Sequence, residues 1–194
     1  MVDIEQSSYP IYVAGSFKVT AAPLDIISSY TQQCVFKTFA ASADDYETAA
    51  TAACAVRQTM QDLPVYERFR ILTEIAQGIL ANRGELAVIM AREAGKPLKT
   101  AHGEIERAAQ TFLTAAEEAK RLPGEVLSID WHRSGARKDA IVKYFPVGVV
   151  AAITPFNFPL NLVAHKIAPA IAAGCPIVVK PASKTPITEQ RLDK

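Results

Sequence analysis

The sequence predicts an α/β fold in which amino-terminal strands and helices lead into an incomplete doubly wound parallel sheet. Three observations carry that prediction. Val147 to Ile153 and Pro176 to Lys180 are short apolar runs, as expected of parallel strands covered on both faces. Leu160 to Ala173, between them, is apolar nearly all round, so strand, helix and strand make one β-α-β unit of about 30 residues. Only fourteen residues follow Lys180, and they are polar, too few for the five or six strands a doubly wound domain needs. The expected division is therefore 1–145, strands with a helical layer and a ribbon, and 146–194, the start of a dinucleotide-binding sheet.

Taken in order, Ile11-Tyr12-Val13 before Ala14-Gly15-Ser16 predicts a strand and a turn, and Cys34 to Phe39 predicts a second strand. Ser42 with Asp45 three residues on resembles a capping box, followed by Tyr46, Ala49, Ala53, Val56 and Met60 at helical spacing. Pro64 suits a first helical turn, and Val65, Phe69, Leu72, Ala76 and Ile79 then form one apolar stripe. A third helix carries Leu86, Ile89 and Met90 and stops at Gly95-Lys96-Pro97. The longest helix runs from about Leu98 to Arg121 through Ile105, Ala109, Phe112, Ala116 and Ala119, and ends at Pro123-Gly124. Arg133 to Asp139 is a polar turn, and Ala140 to Phe145 an extended ribbon. Four amphipathic helices in succession require a helical layer packed on something apolar.

Composition narrows the class. Of 194 residues, 49% are hydrophobic and 21% charged, which excludes a disordered or collagen-like chain. A chain this long buries roughly 70% of its unfolded surface and needs no disulfide or metal staple. The net charge of +1 gives no footprint for nucleic acid or anionic lipid. Tyr144 to His165 carries no charged side chain, but Pro146, Pro155 and Pro159 interrupt it, so it predicts a strand, a turn and a helix start rather than a membrane span. Cys34, Cys54 and Cys175 form no C-x-x-C, and no apolar signal segment opens the chain; the expectation is a reducing, cytoplasmic setting.

Ligands of open parallel sheets lie beyond the carboxyl ends of the strands. Here those ends are Thr154-Pro155-Phe156-Asn157-Phe158-Pro159 and Lys180-Pro181-Ala182-Ser183. Asn157, braced by prolines, is placed either to donate its carboxamide N–H to a developing oxyanion or to cap the next helix. Lys180 is placed either to meet a phosphate or ribose or to stand as a solvated strand end. Cys34, Cys54 and Cys175 read as small buried hydrophobes. His102, His132 and His165 have no ligand spacing, so no metal site is expected. Glu117-Glu118, and Glu104 with Glu106, read as solvated helix faces.

Gly148 through Pro159 (G-V-V-A-A-I-T-P-F-N-F-P) and Ala172 through Pro186 (A-A-G-C-P-I-V-V-K-P-A-S-K-T-P) strongly resemble the aldehyde dehydrogenase superfamily. Glu93-Ala94-Gly95-Lys96-Pro97 and the helix with Glu104 and Arg107 resemble it too. The similarity runs from Tyr12 to about Thr188. It implies an aldehyde-dehydrogenase-like fold and the oxidation of an aldehyde to its carboxylic acid with NADP or NAD. In that family a cysteine thiolate adds to the carbonyl, hydride leaves to the nicotinamide, and a Glu-activated water releases the acid.

Carried over by position, Asn157 matches the oxyanion donor. Ile153, Thr154, Pro155 and Phe156 match backbone lining the cofactor cleft, and Lys180 matches the ribose-binding residue, followed by Pro181, Ala182 and Ser183. Ser183 stands where NAD-preferring members often carry Glu; without that carboxylate, and with Lys180 and Lys184 beside it, a 2′-phosphate is tolerated. The family's nucleophilic Cys, general-base Glu and second cofactor loop match nothing in this sequence. The resemblance therefore implies the amino-terminal part of an enzyme, inactive alone, homo-oligomeric at full length, with the early strands and the Ile141 to Phe145 ribbon in its oligomerisation element. The alternative is a short, non-catalytic protein that binds nucleotide weakly or associates with a full-length subunit.

Overall fold

The computed structural model describes residues 8–122 and 124–191. The chain opens with two hairpins. Strands β1 (Ile11–Val13) and β2 (Ser16–Lys18) pair antiparallel, as do β3 (Pro23–Ile27) and β4 (Cys34–Phe39), the latter with an irregularity at Ile26 and Ile27. Strands β2 and β3 were not expected from sequence. Both are short: β2 is exposed along its whole length, and β3 alternates over only five residues, with Leu24 and Ile26 inward and Pro23 and Asp25 outward, too few to stand out in the sequence. Ile26 and Phe36 turn inward onto Ile89 and Ile187, and Tyr9 meets the Phe36 ring edge-on at 5.7 Å.

The expected capping box is present. The Ser42 hydroxyl accepts from the Asp45 N–H, and the Asp45 carboxylate accepts from the Ser42 N–H, opening α1 (Ala43–Ala55). Lys18 from β2 donates to the same carboxylate and, with the two bonds from Ser42, lowers its pKa to about 2. The stripe expected from Tyr46 to Met60 is broken: α1 ends at Val56, α2 (Arg57–Asp62) restarts, and Tyr46 and Val56 face solvent. Small Ala53 carries the contact surface instead.

Pro64 caps α3 (Val65–Ala81) just outside the helix, where its missing N–H costs nothing. Helices α4 (Arg83–Ala94) and α5 (Leu98–Ala119) follow. Gly95 ends α4 at φ 66°, a left-handed position that glycine occupies without a Cβ penalty. A Cβ there would stand 3.3 Å from the Cβ of Tyr30. The main core is helical. Leu72, Ala76 and Ile79 of α3, Leu86 and Met90 of α4, and Ile105 and Phe112 of α5 pack together with one face of α6 (Asn161–Ala172). Ala101, Ala108, Ala109, Ala116 and Ala119 line α5, and their small side chains let α3 and α6 approach closely. Arg68 of α3 donates to the carbonyl of Ala172 at 2.8 Å, satisfying one of the free carbonyls at the end of α6.

Beyond α5, β5 (Glu125–Ser128) pairs antiparallel with β6 (Asp139–Val142) across a 3-10 turn at Arg133–Gly135. The expected ribbon is thus present, but it ends at Val142, and its partner β5 was missed because Glu125 and Ser128 hide its alternation. Strand β7 (Val150–Ile153) lies parallel to β8 (Ile177–Lys180), with α6 as the crossover, so the β-α-β unit is as expected. Gly174, at φ 77°, turns the chain from α6 toward β8.

Three expectations need correction. Val147 to Ile153 is not covered on both faces: Val147 is 88% and Ile153 72% exposed, since the described sheet has two strands here with α6 on one side. Cys34 and Cys54 are exposed, and only Cys175 is the buried small hydrophobe expected. Glu104 is not on a solvated face; it is buried under α6. The polar-looking segment after Lys180 also forms α7 (Pro186–Gln190), whose Ile187 and Thr188 are fully buried against α4. Among the described residues there is no metal-ligand cluster and no helix long and apolar enough to cross a membrane.

Candidate functional site

The parallel pairing brings the two expected loops to one end of the sheet. Ile153 and Lys180 are register partners at the carboxyl ends of β7 and β8, and the Thr154 N–H donates to the Lys180 carbonyl at 3.3 Å. All nine residues expected to form the site lie in the two segments that leave this edge. Their side chains divide into two sets. Ile153, Pro155, Phe156, Asn157, Lys180 and Ser183 are exposed, whereas Thr154 and Ala182 are buried and Pro181 is half-buried.

The buried set is anchored by a residue that the sequence did not single out. Glu189 of α7 accepts from the Thr154 hydroxyl at 2.6 Å and from the Ala182 N–H at 3.5 Å, so one carboxylate ties both loops. Burial raises its pKa to about 7, against the bonds from Thr154 and Ala182. Glu93 acts beside it: buried in α4, it accepts from the N–H groups of Ile187 and Thr188 and from the Thr188 hydroxyl, capping α7 from outside. Its pKa is also raised to about 7 by burial, in spite of those three donors. The sequence signal was present, because Glu93 falls on the stripe of Ile89 and Met90, and a charge in an apolar stripe marks a buried partner.

Asn157 sits at the outer bend of the first loop. Among the described residues its carboxamide makes no hydrogen bond, and it is exposed at the carboxyl edge of the sheet. The capping alternative is excluded. The first turn of α6 is capped by Glu104, which accepts from the N–H groups of Leu160 at 2.9 Å and Asn161 at 3.0 Å. Lys96 pairs with the same carboxylate and donates to the Asn157 carbonyl at 3.1 Å. Its ammonium also stands 4.3 Å over the Phe158 ring.

Lys180 donates to the neighbouring Pro181 carbonyl at 3.1 Å and is otherwise exposed. Lys184 lies 4.9 Å from the centre of the Phe156 ring. No Asp or Glu occurs between Lys180 and Thr188, so the exposed surface of this loop is cationic. Exposed Ile153 and Phe156 give flat apolar area beside those ammonium groups, a combination that fits a ring system carrying phosphates. A separate cleft of about 600 Å³ opens between α5 and α6. It reaches Arg107, whose guanidinium lies 5.6 Å from the Phe158 ring, and Asn161, whose buried carboxamide oxygen has no partner among the described residues. Cys175 precedes β8, at the opposite end of the strand from Lys180.

The family model described as "Aldehyde dehydrogenase family" matches residues 18–194. The 3-sulfolactaldehyde dehydrogenase of Priestia megaterium is 42% identical over 185 residues, 95% of this chain and 38% of that protein. The lactaldehyde dehydrogenase of Methanocaldococcus jannaschii is 43% identical over 177 residues, 91% of this chain and 37% of that protein. Among solved structures, aldehyde dehydrogenase 21 from Physcomitrella patens in complex with the reaction product succinate superposes with a TM-score of 0.93. It is 39% identical, with 97% of this chain and 40% of that one covered. The glyceraldehyde-3-phosphate dehydrogenase of Methanocaldococcus jannaschii complexed with NADP gives 0.83 at 41% identity, covering 90% and 37%. The chain thus spans about two-fifths of the length of the relatives it matches. With its β-α-β unit, its paired loops and a family match over all but the first hairpin, the chain belongs to the aldehyde dehydrogenase family.

Proposed function

We propose that these residues are the amino-terminal part of an NAD(P)-dependent aldehyde dehydrogenase, and that the Asn157 edge is half of its active site. The observation that carries this reading is the pairing of Ile153 with Lys180, which sets Asn157 and the cationic loop at one end of the sheet. The cofactor, when bound, accepts the hydride. Ile153 through Phe156 would lie along it, and Lys180 would meet its adenosine ribose. Ser183 and Lys184 leave room and charge for a 2′-phosphate, so NADP is the favoured form. Relatives and neighbours named for NADP support that preference.

As the aldehyde carbon becomes tetrahedral, its oxygen gains negative charge, and the free carboxamide N–H of Asn157 is available to donate to it. Such a donor contributes roughly 10²–10³ in kcat. The rest of the substrate would extend into the cleft lined by Arg107 and Asn161. The attacking thiolate and the base that activates water are supplied from outside this chain. None of its cysteines is at the Asn157 edge: Cys175 is buried at the far end of β8, and Cys34 and Cys54 lie on β4 and α1.

Initial rates of the complete enzyme with NADP and with NAD, and with Asn157→Ala, test the reading. The 194 residues alone should give no aldehyde-dependent absorbance at 340 nm, and the complete enzyme should favour NADP in kcat/KM. Asn157→Ala should lower kcat by roughly two orders of magnitude with little change in KM. An unchanged kcat would sink the oxyanion role. A tenfold preference for NAD would sink the reading of Ser183, and turnover by the chain alone would sink the placement of the nucleophile elsewhere.

A further inference from the structure

The turn that carries Asn157 is held at three points by buried charged groups. At its start the Thr154 hydroxyl donates to Glu189, and at its end the Leu160 and Asn161 N–H groups donate to Glu104. Between them Lys96 donates to the carbonyl of Asn157 itself. Lys96 and Glu104 pair with one another, their side chains 11% and 1% exposed; Lys96 lies in the junction between α4 and α5, and Glu104 within α5. A charge pair this deep is costly to form unless its remaining donors and acceptors are used. Here they are: Glu104 accepts from three groups, and Lys96 donates to two and lies over the Phe158 ring.

Holding α5 against α6 does not require this pair, because Ala101, Ala108, Phe112, Leu160, Ala164 and Ala168 already pack there. Nor does capping α6 require Lys96, since Glu104 alone reaches both N–H groups. The bond to the Asn157 carbonyl is left as the distinct contribution of Lys96. It fixes the backbone of a residue whose own side chain has no intramolecular partner and would otherwise swing with the loop.

We propose that Lys96 and Glu104 are positioning residues for Asn157: Lys96 pins the Asn157 backbone, Glu104 fixes both Lys96 and the first turn of α6, and the carboxamide is thereby aimed before an aldehyde arrives. The consequence for catalysis rests on the oxyanion role of Asn157 proposed above; the positioning itself does not. A preset donor is effective because it does not have to reorganise as charge develops.

The test reads the position of Asn157 directly. In the 194-residue chain labelled with nitrogen-15 and carrying Val126→Lys and Ile141→Lys, which place charge on the exposed apolar ribbon to keep the chain dispersed, Lys96→Met should shift and broaden the Asn157 side-chain amide and the Phe158 backbone amide. The backbone amides of Phe112 and Ala164 should keep their positions, and Lys96→Arg should restore the Asn157 signal. Should the Met variant fail to fold, Glu104→Gln carries the same test. Its carboxamide oxygen can still accept from α6, while the charge that holds Lys96 is gone. In the complete enzyme Lys96→Met should lower kcat at least tenfold with KM for NADP within about twofold, and Arg should recover most of the loss. An Asn157 amide unmoved in both Lys96→Met and Glu104→Gln overturns the proposal. If the amide moves but Asn157→Ala leaves kcat intact, positioning stands and the oxyanion reading falls. If Asn157→Ala is crippled while Lys96→Met keeps full kcat, the proposal is overturned and the oxyanion reading stands.

Discussion

Glu93 and Glu189 lie on either side of Thr188, one reaching in from α4 and the other standing on α7, and both are raised to about 7 by burial. An unfolded Glu titrates near 4.5. Between those values the folded chain holds protons that the unfolded chain has released. Stability from these groups is therefore fully present below about 4.5 and is lost as pH rises through about 7. The opposite case, Asp45 held at about 2, contributes stability above about pH 4 and loses it only as pH falls toward 2, so it does not change over this interval. The urea midpoint is therefore expected to be higher at pH 5 than at pH 7.5, and a midpoint that is flat or rises over that interval would contradict the assignment. At this scale the sequence was legible where residues sit in a dense local pattern: the loops around Asn157 and Lys180 placed both at the carboxyl edge of the sheet, and that is where they lie. Glu93, Glu104 and Glu189 were not, because a Glu on a helix is ordinarily solvated and their partners lie 95, 56 and 35 residues away. The available clue was position, since Glu104 stands in the stripe of Ala101, Ile105 and Ala108.

Helices were legible as elements because their buried faces repeat over many turns. Leu72, Ala76 and Ile79 on α3, and Ile105, Ala109, Phe112, Ala116 and Ala119 on α5, are all buried as their spacing required. Short strands offer three to six residues and no such redundancy, so β2, β3 and β5 went unseen while the apolar β7 and β8 did not. The exception among helices is instructive. Tyr46 and Val56 are spaced for a buried face, yet nothing among the described residues covers them, and α1 breaks where that face would continue. Helix ends obeyed local chemistry more strictly. Gly95 is an expected stop, and its left-handed backbone close to Tyr30 makes it a sharp test. Gly95→Ala adds a Cβ in a region where L-residues are strained, at 3.3 Å from another side-chain carbon. A loss of about 1–2 kcal/mol is expected, read as a lower urea midpoint at constant slope. Because Lys96 follows immediately, the same variant should also disturb the Asn157 amide. A variant as stable as the parent would mean that the α4–α5 junction is free to choose its turn.

For the molecule as a whole, the notable quantity is apolar surface left facing water. Val126 and Ile141 on the β5–β6 ribbon are 72% and 70% exposed, and Tyr144, Phe145 and Val147 continue the strip toward β7. Val126 and Ile141 are register partners, so their side chains share one face of the ribbon. A two-stranded ribbon has two open edges, and a contiguous apolar face next to them is a template for pairing with another chain. The chain matches about two-fifths of its relatives' length, and among the described residues nothing covers this strip. The 194-residue chain is therefore expected to self-associate, with a sedimentation coefficient that rises with concentration through the micromolar range. Val126→Lys with Ile141→Lys should suppress that rise. Thermal stability should shift by less than about 1 kcal/mol, because neither side chain contributes to the core. If the double variant associates as strongly as the parent, the sticky surface lies elsewhere, and the exposed end of β7 at Ile153 is the next place to put a charge. If the parent is monodisperse at every concentration, the ribbon is shielded by its own twist and the association expectation fails outright.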